Sequence, residues 1–356
     1  MAYTTIDNPE LYFQTKLYTG DGSATQAQTF DGSEDMAPDL VWIKSRSNAE
    51  AHSITDNVRG VTKWLESDSG AAEQTNVNTM KAFGSDGFSV GLAGSVGDTD
   101  QTYVAWCWKA GTTSGKSTTN ETITPSAYSI NTTAKFGIYA HTGGGTAGVY
   151  INHGLGAAPT FIMAKNISGS ASWVVWNHKL SAPTGYMMVL NTTAAEGTTS
   201  SGTGGPYANT QPTSTLIRIG GNELTSDGIN YIQYVFCPVQ GFSHFGSYKG
   251  NGSANGPFVY TGFRPAWLMI KRADSGTESW QIQDSKRGTF NIMSTARLKA
   301  DATDAESSKQ CMDWCANGFK MRLTGNDLNA NGGNFIYAAF AEAPLVNSNG
   351  VPCNAR

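Results

Sequence analysis

Charge is scarce in this sequence. Lys, Arg, Asp and Glu make up 15% of its 356 residues and the formal net charge is −4. No block or stripe of Lys and Arg occurs, which argues against nucleic acid as a partner. Long apolar runs are missing too. None approaches the ~18 residues that span a bilayer, so no membrane insertion is expected. The first ten residues, MAYTTIDNPE, lack the basic and apolar regions of a secretory signal, so synthesis and folding in a cytoplasm are expected. Cysteine is confined to Cys107, Cys237, Cys311, Cys315 and Cys353, an odd number in no repeated pattern. Cys107 and Cys237 read as small core residues. Cys311 and Cys315 have the wrong spacing for a zinc knuckle and no second pair exists, so no metal is assigned.

Catalytic signatures are equally thin. His52, His141, His153, His178 and His244 form neither HExxH nor HxH, and no GxSxG elbow is present. Residues 111–117 read GTTSGKS, one residue short of a phosphate loop, and no helix pattern follows to aim its N-terminus at a phosphate. No cofactor is implied and no residue is assigned a catalytic role. A chain so poor in charge and so rich in glycine (41 residues) is composed like an all-β protein with many turns.

What is present is repetition. Residues 37–46 read APDLVWIKSR, residues 158–166 APTFIMAKN and residues 264–272 RPAWLMIKR. In each, a lysine (Lys44, Lys165, Lys271) follows a proline (Pro38, Pro159, Pro265) by six positions. The run between is short and β-branched or aromatic, which predicts a buried strand beginning beside the proline. Upstream stand glycine-rich turns after Tyr18, Tyr139 and Tyr248, with Tyr-to-Pro spacings of 20, 20 and 17. Downstream come second strands at 52–56, 173–177 and 280–284, ending in Asp56, Asn177 and Asp284. Each copy closes on an aromatic strand: YVAWCW at 103–108, YIQYVF at 231–236, FIYAAF at 335–340. Three units of one design fill the chain.

The expected organisation is an N-terminal segment (1–16), unit one (17–110), a Ser/Thr-rich linker (111–135), unit two (136–240), unit three (241–345) and a C-terminal tail (346–356). At about 100 residues each unit suits a β-sandwich. Units two and three should pack rigidly, with unit one on a longer tether. Unit two should depart most, with an insertion at 196–205 and Leu216-Ile-Arg-Ile219 standing where units one and three carry Asp/Asn-Gly-Phe. Trp42, Met163 and Met269 should share one core position, and Trp106, Tyr234 and Ala338 another. His52 falls in the slot of Trp173 and Trp280, a packing position. Asp56, Asn177 and Asp284 interchange, which suits a cap and not a general acid. Two oxygen-rich loops, Asp98/Asp100 and Asn326/Asp327/Asn329, precede the last strands of units one and three. They read as Asx turns, with calcium or a sugar as the alternative occupant.

The combination of YTGDGS, PDLVWIK, SDGF and TYVAWCWKAG in unit one resembles the tandem-repeat virion proteins of tailed bacteriophages, particularly of marine hosts. INHGLGAAPTFIMAK in unit two, and FGSYKGNGS, GPFVYTGFRPAWLMIKR and NFIYAAFAEAP in unit three, resemble them as well. The resemblance implies three tandem β-sandwich units of jelly-roll or lectin-like type on a virion surface. Their expected partners are other virion proteins of tail or capsid, with a host surface glycan and further copies of the chain as additional options. It implies a tail-fibre-like adhesin; a capsid decoration or head-fibre protein, and a polysaccharide depolymerase, stand as alternatives. It carries over no ligand or catalytic residue.

Overall fold

A computed structural model describes residues 2–198, 205–288 and 294–353. Residues 199–204 of the expected insertion lie outside the described residues. The chain is all-β: among the described residues, α-helix is limited to two four-residue turns, Asn222–Thr225 and Asn326–Asn329.

Twelve strands carry the repeat. In unit one they are β1 (Phe13–Thr19), β2 (Leu40–Ser45), β3 (Ser53–Asp56) and β4 (Thr102–Trp108). In unit two they are β5 (Phe136–Thr142), β6 (Phe161–Asn166), β7 (Val174–Asn177) and β8 (Asn230–Phe236). In unit three they are β9 (Ser243–Lys249), β10 (Phe263–Arg272), β11 (Gln281–Asp284) and β12 (Asn334–Pro344). The orders β1-β4-β2-β3, β5-β8-β6-β7 and β9-β12-β10-β11 are the same: the last strand of each unit inserts between its first and its lysine strand. The register repeats as well. Trp42 pairs with Trp106, Met163 with Tyr234 and Met269 with Ala338, while Lys44, Lys165 and Lys271 stand opposite Val104, Ile232 and Ile336. Pro38 and Pro159 precede their strands, whereas Pro265 lies within β10 at a register shift, a place where a missing N–H is tolerated.

Each unit adds a short strand pair beyond these four. The pairs are Gln26–Gln28 with Phe88–Val90, Val149–Asn152 with Leu216–Ile219, and Phe258–Tyr260 with Gly318–Met321. Leu216–Ile219 therefore stands in unit two where the Asp/Asn-Gly-Phe strands stand in the others. In unit one, alternate residues of β2 and β4 face two cores. Val41, Ile43, Tyr103, Ala105 and Cys107 pack beneath Phe30, Met80 and Phe88, while Leu40, Trp42, Val104, Trp106 and Trp108 face the other way. In unit three the sheet runs to eight strands and curls towards closure.

Three expectations need correction. Unit one does not stand off on a tether: one continuous hydrophobic core draws on all three units. At its centre Trp108, Phe236 and Phe340, the sixth residues of the three aromatic motifs, touch one another with ring centroids 5.6–6.5 Å apart. The segment 111–135 is not a slack linker. Its Ala127–Asn131 strand pairs with β5, Thr112 bridges Ile130, and Lys116 and Glu121 form a buried ion pair at 2.7 Å. Backbone pairing needs no apolar side chain, and one buried apolar residue, Ile130, beside the buried Ser129, holds the strand on the core.

The third correction concerns the aromatic residue before the glycine turn. Tyr18 and Tyr248 stand opposite Tyr103 and Phe335, the first residues of their aromatic motifs, but the matching residue of unit two is His141, opposite Tyr231, and not Tyr139. All three rings stack on their partners, at 5.2, 5.1 and 4.9 Å. All three polar tips reach the same carbonyl position: Tyr18 Oη donates to Val96, His141 Nε2 to Leu224 and Tyr248 Oη to Leu328. A glycine follows each at the second position. At Gly20, Gly143 and Gly250 a Cβ would collide with the carbonyl oxygens of Asp98, Ser226 and Ala330.

The buried pair Trp42–His52 generates a test. Trp42 Nε1 donates to His52 Nδ1 at 2.8 Å, so His52 is the Nε2–H tautomer and donates to Lys299 O, 2.9 Å away. Units two and three fill the same two places with Met163–Trp173 and Met269–Trp280. Trp42→Met should cost ~2–4 kcal/mol and His52→Trp ~1–3 kcal/mol. The double variant restores the combination used elsewhere in the chain and should cost at least ~1 kcal/mol less than the sum. Urea midpoints of the four proteins measure this; strict additivity would show the two slots to be independent.

Candidate functional site: inter-unit seams and an exposed aromatic face

The polar residues that recur are gathered where one unit meets the next. After its second strand, each unit runs through a hairpin of one pattern: DSGAAE at 68–73, NTTAAE at 191–196, DATDAE at 301–306. The first residue caps its own unit. Asp68 accepts from His52 N, Asn191 from Trp173 N and Asp301 from Trp280 N, each at 2.9 Å. The rest grips the neighbour. Glu73 N donates to Ile167 O, Glu196 N to Ala273 O and Glu306 N to Arg46 O, so unit one holds unit two, two holds three and three holds one. The same cycle joins Trp173 Nε1 to Glu66 O, Trp280 Nε1 to Val189 O and His52 Nε2 to Lys299 O. The three units thus close into a ring.

Lys44, Lys165 and Lys271 lie fully buried at these seams. Each ammonium donates to the carbonyl of the next residue, Ser45, Asn166 or Arg272, at 2.7–2.8 Å. Lys165 also reaches Gly70 O, and Lys271 reaches Thr193 O, on the hairpin of the preceding unit. Carbonyls solvate the charge only in part, and burial pulls all three lysines down from 10.5 to about 8.

The recurrent acid slot also works across units. Asp56 accepts from Arg59 Nε at 2.6 Å and from Tyr234 Oη of unit two at 2.7 Å. Asp284 accepts from Arg287 Nε at 2.6 Å and from Trp106 Nε1 of unit one at 2.9 Å. The arginines continue to Glu73 and Glu306. By the same cycle the third place belongs to Asn177 and Ala338. Alanine donates nothing, and here the acid–arginine pair gives way to Asn177 and the buried Leu180. An unpaired buried carboxylate would be costly, so acid, base and donor change together.

The loops singled out in the sequence are occupied by the fold. Asp98 Oδ1 caps Thr99 N, and Asp100 sits at φ +61° in an exposed turn. Asn329 Nδ2 donates to Asn251, Ser253 and Leu323, and its Oδ1 accepts from Asn251 N. Asp327 is paired with Arg297 and Lys309. Asn131, Asn166 and Asn251 form Asx turns onto Thr133, Ser168 and Ser253. Lys116, in the phosphate-loop lookalike, is taken by Glu121. His153 and His178 are pushed down to about 4 by burial, with His52 lower, at about 3. Among the described residues, no cluster of three His, Cys, Asp or Glu could hold a metal.

Two large aromatic side chains are left outside the core. Phe258 and Tyr260 alternate on the outer face of the Phe258–Tyr260 strand and are 46% and 54% exposed. On the adjoining strands the register sets Lys320 and Asp313 in line with Phe258, and Gly318 and Cys315 in line with Tyr260. Asp313 is paired with Arg322 at 3.1 Å. Tyr3, from the N-terminal segment, donates to Gly262 O at 2.7 Å and lies 3.2 Å from the Tyr260 hydroxyl. Since the Tyr3 proton goes to Gly262, Tyr260 donates to Tyr3, which also accepts from Gln240, and the Tyr260 oxygen keeps its accepting lone pairs. This face was not legible in the sequence, where GPFVYTGF reads as one more half-buried strand. The hairpin motif at 68–73, 191–196 and 301–306 was legible through its repeated Asp/Asn and Ala-Glu.

Fold and seams together define an internally repeated all-β protein, closed on itself by three equivalent inter-unit joints. The chain belongs to the family described as Domain of unknown function (DUF7483), whose model matches residues 8–344. No curated protein and no solved structure matches it.

The lysines predict a pH signature. Below pH 8 native and unfolded chains are both protonated at these positions. Between about 8 and 10.5 the unfolded chain holds protons that the native chain has released, so these groups add stability as pH rises. The buried Cys107, Cys237 and Cys311, whose thiols burial pushes up, act in the opposite direction. The informative quantity is therefore the stability of wild type minus that of Lys165→Met, from urea melts. It should move in favour of wild type between pH 7 and pH 9.5, and a constant difference would show that Lys165 keeps an ordinary pKa.

Proposed function

We propose that the chain is a structural protein of a tailed-bacteriophage virion, a tail-fibre-like adhesin that binds the host surface without turnover. On this reading the three units are tandem, lectin-like β-sandwiches, and the protein is displayed on the particle beside other tail or capsid proteins. The repeat motifs that resemble phage virion proteins support the source. The observation that carries the binding role is the division of labour among polar residues. The recurrent carboxylates and lysines, with His52, hold the units to one another, while the exposed aromatic side chains among the described residues, Phe258 and Tyr260, stand together on one face of unit three. A rigid body with an outward aromatic face suits attachment.

The N-terminal segment bears on the choice between adhesin and capsid decoration. Ile6 is buried in the shared core, Tyr3 binds Gly262, and Asp7 accepts from Ser348 N at 2.7 Å. A segment already engaged by its own chain is not free to bury itself on a capsid shell, which favours the adhesin. The decoration reading keeps one support, because a ring with three like joints matches a site of local threefold symmetry.

Purified protein should bind host cells and leave surface polysaccharide intact. Binding confined to phage heads that lack the protein would select decoration. Release of new reducing ends, abolished by removing one Asp or Glu, would overturn the non-enzymatic reading in favour of a depolymerase.

A further inference from the structure

We infer that the outer face formed by Phe258, Tyr260 and Tyr3 is a saccharide-binding platform that takes a pyranose ring by stacking. The inference deepens the adhesin reading and rests on it for its biological setting.

Four features carry it. The first is placement. Phe258 and Tyr260 are two apart on one strand, so both side chains leave the same face. Val259 between them is buried and holds the strand to the body. The rings are exposed because the strand pattern puts them outward, with neither core nor loop covering them among the described residues.

The second is the floor. Gly318 stands opposite Tyr260; a Cβ there would collide first with Val259 O and would also come within 3.2 Å of Phe258 Cζ, the tip of the ring. Glycine here admits the Val259 backbone and leaves space for the tip of the Phe258 ring. Gly262, at φ +85°, plays the matching part on the other side. A Cβ at that position would meet Tyr3 Oη at 2.9 Å and Tyr260 Oη at 3.6 Å. Two glycines thus leave room for the aromatic groups that make the surface.

The third is size. Two half-exposed rings offer on the order of 200 Å². A stable protein interface needs about 800 Å² per partner. The patch is too small to seat a protein and matches one or two sugar rings. A pyranose presents a face of C–H bonds, slightly positive, that complements the negative face of an aromatic ring.

The fourth is the rim. Hydroxyls of a stacked sugar need donors and acceptors at the edge of the rings. Tyr260 supplies a hydroxyl oxygen with free lone pairs, Lys320 supplies an ammonium with no partner among the described residues, and the Asp313–Arg322 pair closes the side beyond it. The corresponding strands of units one and two begin with Gln26 and Val149 and present no pair of exposed large aromatic residues. Among the described residues the platform therefore belongs to unit three, which offers one such site.

The test uses the full chain and saturation-transfer NMR with the methyl β-glycosides of glucose, galactose, N-acetylglucosamine and mannose at about 20 mM. Stacking tolerates sugar identity, so at least one should receive transfer, concentrated on the protons of one ring face. In Phe258→Ala/Tyr260→Ala the apparent affinity should fall at least ~10-fold, equivalent to about 1.4 kcal/mol. Both residues lie outside the core, and an unchanged urea midpoint verifies the fold. Phe258→Tyr, which keeps both rings and the Tyr260 hydroxyl, should retain binding to within about threefold. No transfer from any of the four, or transfer unaffected by the double alanine change, overturns the platform. Cell attachment separates the two readings. If wild type and the alanine variant attach equally, the platform falls and the adhesin stands. If wild type does not attach yet shows the ring-dependent transfer, the adhesin falls and the platform stands.

Discussion

The structure depends on a hairpin of one unit closing over the lysine strand of the next. Three backbone bonds, from Glu73, Glu196 and Glu306 to Ile167, Ala273 and Arg46, repeat that contact around the molecule and end where they began. A linear chain of repeats leaves its two ends uncovered. Here the last hairpin, on unit three, returns to His52 and Arg46 of unit one, so no unit keeps an open seam of this kind. The apolar counterpart is the contact of Trp108, Phe236 and Phe340. No unit owns that centre, and each supplies a third of it.

Burying charge at these joints follows one rule. A buried charge needs a partner or enough carbonyl oxygens to replace water. The lysines use carbonyls and are pulled towards neutrality. The aspartates use an arginine and an aromatic donor from the neighbouring unit. The seam between units two and three lacks the acid, the base and the donor together, and holds Asn177, Leu180 and Ala338 in their places. That correlated loss is intelligible only across a seam, since Ala338 is 161 positions from Asn177 in the sequence. It also explains why Asp and Asn interchange at this slot without implying a catalytic group.

The units agree in the strands that build the ring and differ in the short outer pairs. Gln26–Gln28, Val149–Asn152 and Phe258–Tyr260 occupy the same place in their units but share no side-chain pattern. Inner strands answer to a common core and common joints. Outer strands answer to solvent or a ligand, and there unit three has acquired Phe258, Tyr260 and the glycines that leave them room. A repeated scaffold with one specialised outer surface is a physical reason to look for binding on unit three.

By itself the sequence determined the strands and their likeness. Proline, apolar run and lysine at fixed spacing reported a buried strand because that spacing reflects local backbone geometry, and the registers of Lys44, Lys165 and Lys271 agree. The placing of His52 with Trp173 and Trp280 was legible for the same reason. The tertiary structure alone decided that the units share a core, that residues 111–135 are woven into unit two, and that His141 takes the place of a tyrosine. It also decided that two rings of unit three face outward. Each of these rests on contacts between residues far apart in the chain, where the partner's position, and not the local pattern, sets which face is covered. Tyr139 and His141 both precede a glycine turn and both could stack; only the pairing of His141 with Tyr231 across the sheet chooses between them.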